Sequence, residues 1–167
     1  MKKTALILIT AIATFACSNA QKKEFSKESL SEKLVTTDNT EILFNEILKK
    51  HIGKVTVIEV WASWCSDCVK AMPKVKEMQA NNPNVDYVFI SMDKAFNKWQ
   101  VGIEKHELKG EHYWVNDLKM MKGSFGKSID LDWIPRYIIV DKKGEIVVYR
   151  AIETDFEKIN EQLKNLK

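Results

Sequence analysis

The sequence predicts an α/β domain with a central mixed β-sheet flanked by helices. Three observations carry this reading. Two apolar runs, Val55 to Val60 and Val85 to Met92, bracket a stretch in which Val69, Met72, Val75 and Met78 fall on one helical stripe. That order describes a strand, a crossover helix and a second, parallel strand. Further on, Tyr137 to Val140 and Glu145 to Ala151 flank Asp141-Lys142-Lys143-Gly144, a turn suited to a hairpin. Lastly, 45% hydrophobic residues in a chain of 167, with three prolines and six glycines, fit one buried core without a long flexible linker.

Residues 1–20 read as a targeting segment. A basic start at Lys2-Lys3 precedes an uninterrupted small and apolar run from Ala5 to Ala16, too short to span a bilayer comfortably but suited to the core of a secretion signal. Two exits stay open. Cleavage after Ala20 would discard Cys17, whereas cleavage before Cys17 would leave that cysteine to carry a lipid anchor. Ala16-Cys17-Ser18 resembles a bacterial lipoprotein signal, although Thr14 stands where that pattern has an aliphatic residue. Both exits place the protein outside the cytoplasm, in the periplasm or cell envelope.

Residues 21–36 are expected to be a tether, charged and featureless through Lys33, and 37–167 the folded domain. From Thr40, the residues Ile42, Leu43, Phe44, Ile47 and Leu48 recur at helical spacing, and Gly53 ends that helix. Val55 to Val60 is nearly continuous in its apolarity and so covered on both faces. The helix after it runs to Asn81, where Asn82-Pro83 stops it. Phe96, Trp99 and Ile103 mark another helix, His112 to Val115 a short strand, and Asp117 to Phe125 a short helix. Phe156, Ile159, Leu163 and Leu166 mark a closing helix. There is no internal repeat.

The formal charge is +3, and loss of Lys2 and Lys3 would leave 3 − 2 = +1. Without a clustered basic face, nucleic acid is not an expected partner.

Chemistry concentrates in Trp61 to Pro73, WASWCSDCVKAMP. With Cys17 discarded or lipidated, Cys65 and Cys68 form the remaining pair, in a compartment where disulfides persist. As a staple the pair is weak, because the stabilisation grows with the loop closed and this loop is minimal. As a zinc site it supplies two of four ligands. His51, His106 and His112 are not at ligand spacing and read as surface residues, so no metal is expected. Redox chemistry is what remains.

Trp61-Ala62-Ser63-Trp64-Cys65-Ser66-Asp67-Cys68 resembles the active-site signature of the thioredoxin fold, and the resemblance covers nearly everything from Thr40 to Leu166. Pro73 matches the proline of the family's active-site helix, and Ile134-Pro135 matches its cis-proline loop, which faces the cysteines. With a helical insertion between Met92 and Trp133 ahead of that loop, the chain looks most like the extracytoplasmic TlpA/ResA-like branch. The resemblance implies a thiol–disulfide oxidoreductase with no added cofactor. Cys65, at a helix N-terminus that favours an anion, would be the nucleophile, and Cys68 the resolving thiol. Glu59 would be a buried acid accepting the proton of the resolving thiol, against the plainer reading of a surface acid. Ile134 would offer its backbone to a substrate strand, Trp64 a contact platform, and Arg136, where many relatives carry threonine, a cation near the thiolate or an acidic substrate.

The same resemblance implies disulfide-bearing envelope proteins as substrates, cytochrome c apoproteins among them, and a membrane partner that resupplies electrons. Asp67 between the cysteines favours a reductant over an oxidant. Two other functions compete: a metal or haem-delivery module on the same fold, and a peroxidase. The copper-binding relatives need another cysteine spacing and a histidine near the cis-proline, and the peroxidases need Pro-x-x-x-Thr-x-x-Cys. The sequence has neither.

Overall fold

A computed structural model describes residues 22–166. The targeting segment expected over residues 1–20, including Cys17, lies outside them. In chain order the elements are α1 (Lys27–Leu30), β1 (Lys33–Thr36), β2 (Glu41–Leu43), α2 (Phe44–Lys50), β3 (Thr56–Trp61), α3 (Ser66–Asn81), β4 (Asp86–Ser91), α4 (Phe96–His106), β5 (Glu111–Trp114), a 3₁₀ turn (Met120–Lys122), α5 (Ser124–Ser128), β6 (Arg136–Val140), β7 (Ile146–Ala151) and α6 (Phe156–Asn165). The strands form one mixed sheet in the order β2-β1-β5-β4-β3-β6-β7.

The crossover expected from the apolar pattern is present. Strand β3 runs parallel to β4 in the register Val57↔Tyr87 and Glu59↔Phe89, with α3 connecting them. Every residue of β3 is buried, as its continuous apolarity requires of a strand covered on both faces. The hairpin β6–β7 is also present. Its turn is closed by Gly144 N–H donating to the Asp141 carbonyl at 3.0 Å, with Gly144 at φ +89°, a conformation that side chains resist.

The tether expected over residues 21–36 is in large part folded. Ser26 caps α1 through its hydroxyl, and β1 pairs antiparallel with both β2 and β5. Leu34 and Val35 are buried, and Phe25 packs edge-on against Phe44 with ring centroids 4.9 Å apart. Those few apolar residues outweigh the charges around them because the sheet supplies both a ladder and a core to bury them in.

The helix expected from Thr40 starts later, at Phe44. Residues Glu41–Leu43 pair with β1 instead, and the Leu43 N–H donates to Glu46 Oε2 at 3.3 Å, which fixes the helix start. The helix expected over Asp117 to Phe125 is divided at Gly123. The Asp117 carboxylate accepts from the backbone N–H groups of Lys119 and Ser124, competing with a continuous helix. A Cβ at Gly123 would meet Asp117 Oδ2 at 2.1 Å, so only glycine allows that fold-back.

The surface reading of the histidines fails at His51. It is buried, with Nδ1 2.8 Å from Asp86 Oδ2, because the end of α2 packs over the start of β4. His112 stacks on Phe89 at 5.1 Å.

Candidate active site

Strand β3 delivers the chain to the site, and a short loop turns it into α3. Cys65 is the N-cap of that helix, and its Sγ accepts from the Cys68 N–H at 3.1 Å. The helix N-terminus thus directs an unsatisfied donor and its dipole at this sulfur, which stabilises a thiolate there. Cys65 and Cys68 are joined as a disulfide with Cα atoms 5.3 Å apart. The two sulfurs are not equivalent, since Cys65 keeps 6% exposure and Cys68 none. Pro73 lies inside α3 and the helix continues past it to Asn81.

The Ile134–Pro135 peptide is cis, and the Ile134 carbonyl oxygen lies 3.6 Å from Cys65 Sγ. Residues nearly seventy positions apart in sequence therefore meet at the reactive atom. The residues that precede these two in sequence, Trp64 at 51% and Trp133 at 49%, are half-exposed tryptophans. Trp61 is wholly buried, with its ring under α4 at Gly102, where a Cβ would meet Ser63 Cβ at 2.8 Å.

Glu59 is buried, 1% exposed, on the strand that leads to the cysteines. Residues opposite one another in the β3–β4 register share a face, and the hydroxyl of Tyr87 on that face donates to the Met78 carbonyl of α3. Glu59 therefore lies on the face that α3 covers. Its Oε1 accepts from the Tyr137 hydroxyl at 3.4 Å, and its buried Oε2 has no partner among the described residues. Desolvation pushes the carboxyl up to about 8, against the smaller opposing pull of the Tyr137 hydrogen bond. Such a group changes protonation near neutral pH, as a proton carrier must.

Arg136 does not join this group. It neighbours Tyr137 along β6 and so points to the opposite face of the sheet. It is 1% exposed and its guanidinium donates to Asp132, which also accepts from Arg150 at 2.9 Å. The cation expected near the thiolate or an acidic substrate is instead turned to the other face of the sheet, where the Asp132 carboxylate offsets part of the desolvation.

Asp93 was not anticipated. It is 1% exposed, and its carboxylate accepts from Ser63 N–H at 3.0 Å, Ser63 Oγ at 2.6 Å and Ser91 Oγ at 2.7 Å. It ties the end of β4 to the loop that carries Trp64 and Cys65. The available signal was its place just beyond the C-terminal end of a parallel strand, where α/β folds gather their site residues.

The family model described as thioredoxin-like matches residues 53–146, more than half of the chain. The chain belongs to the thioredoxin-like family. Its Cys65–Cys68 pair at disulfide distance is that of a thiol–disulfide oxidoreductase. This thioredoxin-like chain is 22% identical to the thiol-disulfide oxidoreductase ResA of Bacillus thuringiensis subsp. konkukian, over 99% of each chain. In fold it resembles the thioredoxin domain of a Bacteroides vulgatus thiol-disulfide oxidoreductase, at TM-score 0.65 and 18% identity over 86% of this chain and 100% of that one. It also resembles a secreted Mycobacterium tuberculosis disulfide oxidoreductase homologous to E. coli DsbE, at TM-score 0.63 and 17% identity over 84% and 100%.

Proposed function

We propose that the chain is an extracytoplasmic reductase of protein disulfides. The observation that carries this is the asymmetry of the pair, with Cys65 keeping slight exposure at a helix N-terminus and Cys68 fully buried on the face that holds a poorly compensated acid. The Cys65 thiolate attacks a sulfur of the substrate disulfide, whose S–S bond breaks and whose other sulfur leaves as a thiolate. Cys68 then loses its proton to ionised Glu59 and attacks Cys65 Sγ. The second substrate sulfur leaves, so the substrate gains two electrons and Cys65–Cys68 becomes the disulfide. Ile134, with its carbonyl facing Cys65, and Pro135 beside it form the backbone edge on which an extended substrate segment would lie. Trp64 gives that segment an apolar platform. Arg136 has a supporting part, since its ion pair with Asp132 brackets Ile134–Pro135 in sequence.

Supports for the location are the secretion-like start of the sequence and the similarity to ResA across nearly the full length of both chains. Substrates would be disulfide-bearing envelope proteins, and re-reduction in an oxidising compartment would come from a membrane electron donor. Among the described residues no helix is long and apolar enough to cross a membrane.

Trapping thiols in intact cells with a membrane-impermeant maleimide, read by mass shift, tests both halves. A largely labelled Cys65–Cys68 pair is the expected result. A pair that is fully oxidised at steady state, or that the reagent cannot reach until cells are opened, would sink the reading.

A further inference from the structure

A cleft of about 490 Å³ opens beside the cysteine loop, lined by Ser63, Trp64, Asp93, Lys94, Lys98 and Met120. Its acid is already spent, because the Asp93 carboxylate is buried under donors from Ser63 and Ser91. Asp117, three residues before Met120, is occupied by the backbone N–H groups of Lys119 and Ser124. The two lysines are in the opposite condition. Lys94 and Lys98 are exposed, and among the described residues neither side-chain ammonium group has a hydrogen-bond or ion-pair partner. Lys94 and Lys98 also bracket the start of α4, where Ala95 provides no side-chain cap, so the positive end of the helix dipole adds to their potential. The Trp64 ring and Met120 supply apolar surface in the same cleft.

We propose that this cleft is a specificity subsite for a substrate segment that carries an aspartate or glutamate beside an apolar residue, next to the disulfide to be reduced. The inference rests on the disulfide-reductase reading and adds to it the kind of sequence that is preferred. The apolar residue lies on Trp64 and Met120, and the carboxylate meets the two unpaired ammonium groups. Charge complementarity of this kind acts mainly by raising the rate of productive encounter, so it should show in kcat/KM and weaken with salt.

The test uses the reduced full chain and two peptides with one disulfide each, identical except for a glutamate or a lysine beside one cysteine. Each rate is divided by the same protein's rate on 2-hydroxyethyl disulfide, which is small and neutral. The wild type should prefer the glutamate peptide by about fivefold in kcat/KM at low salt. The preference should shrink towards one at about 1 M salt. In K94E/K98E it should reverse. Equal rates for the two peptides with wild type, or a glutamate preference that survives K94E/K98E or high salt, would overturn the subsite. Failure to reduce even 2-hydroxyethyl disulfide would remove the reductase reading and the subsite with it, whereas reduction of it without charge preference removes the subsite alone.

Discussion

Tyr137 donates its hydroxyl to Glu59 Oε1 at 3.4 Å, from the position directly opposite in the antiparallel register of β3 and β6. That bond is long, and the other, buried carboxyl oxygen has no partner among the described residues, so the ionised form of Glu59 is poorly compensated. The carboxyl is therefore held protonated well above its ordinary 4.5, to about 8.

The stability consequence has a definite sign. Between 4.5 and about 8 the folded carboxyl keeps a proton that the unfolded one has lost. Folding stability should therefore fall by roughly 1.4 kcal/mol per pH unit across that window and level off above it. Glu59→Gln, which keeps the shape and an acceptor for Tyr137, should flatten this fall. Urea unfolding of the oxidised protein at several pH values measures it, and identical slopes for wild type and variant would return Glu59 to a passive role. The same substitution should slow resolution of the mixed disulfide, most visibly near pH 8 where the wild type has its base form.

The cysteine roles predict different products from two similar substitutions. Cys65→Ser should remove attack on disulfides altogether. Cys68→Ser should leave the attack intact and accumulate a mixed disulfide, because only the resolving step is lost. Non-reducing gels and mass spectrometry distinguish the two, and an adduct on Cys65→Ser instead would reverse the assignment.

Asp93 is a positioning residue, acting on Cys65 through Ser63. Asp93→Ala would remove the acceptor of a part-buried N–H and of two hydroxyls, at a cost of roughly 3 kcal/mol. With the loop loosened, the rate should drop by about tenfold or more, since small displacements of reacting groups are costly. Asp93→Asn should fall between. In both variants the pH dependence of the rate should keep its shape while its height falls. A shifted profile would mean that Asp93 exchanges protons with the reacting sulfurs.

Much of this site was legible because its parts are local in sequence. Cys65, Cys68 and the helix they begin follow a strand whose nearly continuous apolarity marks it as covered on both faces, and Glu59 within it is buried. The missed parts depend on contacts between distant segments. Nothing near Leu34 and Val35 signals a strand, because their ladder partners lie in β2 and β5. Asp93 and Ser63 are thirty residues apart, and their bond exists only once β3 and β4 align. Arg136 misled in another way: reading it as a cation for the thiolate or an acidic substrate ignored Asp132 four residues earlier, whose carboxylate makes burial of the guanidinium tolerable.

The direction of electron flow turns on what surrounds the Cys65 thiolate. A disulfide is strongly oxidising when its reduced form is stabilised, chiefly through a low thiolate pKa, which a cation between the cysteines promotes. Here the intervening residues are Ser66 and Asp67, and Asp67 puts a carboxylate in the first turn of α3. Lys70 offsets it weakly, at 3.7 Å with 78% of its side chain exposed, and Arg136 is committed to Asp132 on the other face of the sheet. The Ile134 carbonyl oxygen 3.6 Å from Cys65 Sγ also disfavours a negative sulfur. The helix N-terminus remains the main stabiliser, as it is throughout folds of this kind. The expected potential is about −250 mV, nearer that of thioredoxin than that of DsbA. Asp67→His should make it less negative, by about 30 mV or more, since tenfold in the equilibrium is close to that value for two electrons. Equilibration with glutathione buffers measures both. A wild-type potential above about −150 mV would make the protein an oxidant, and a more negative potential in Asp67→His would show that the intervening carboxylate does not set the balance.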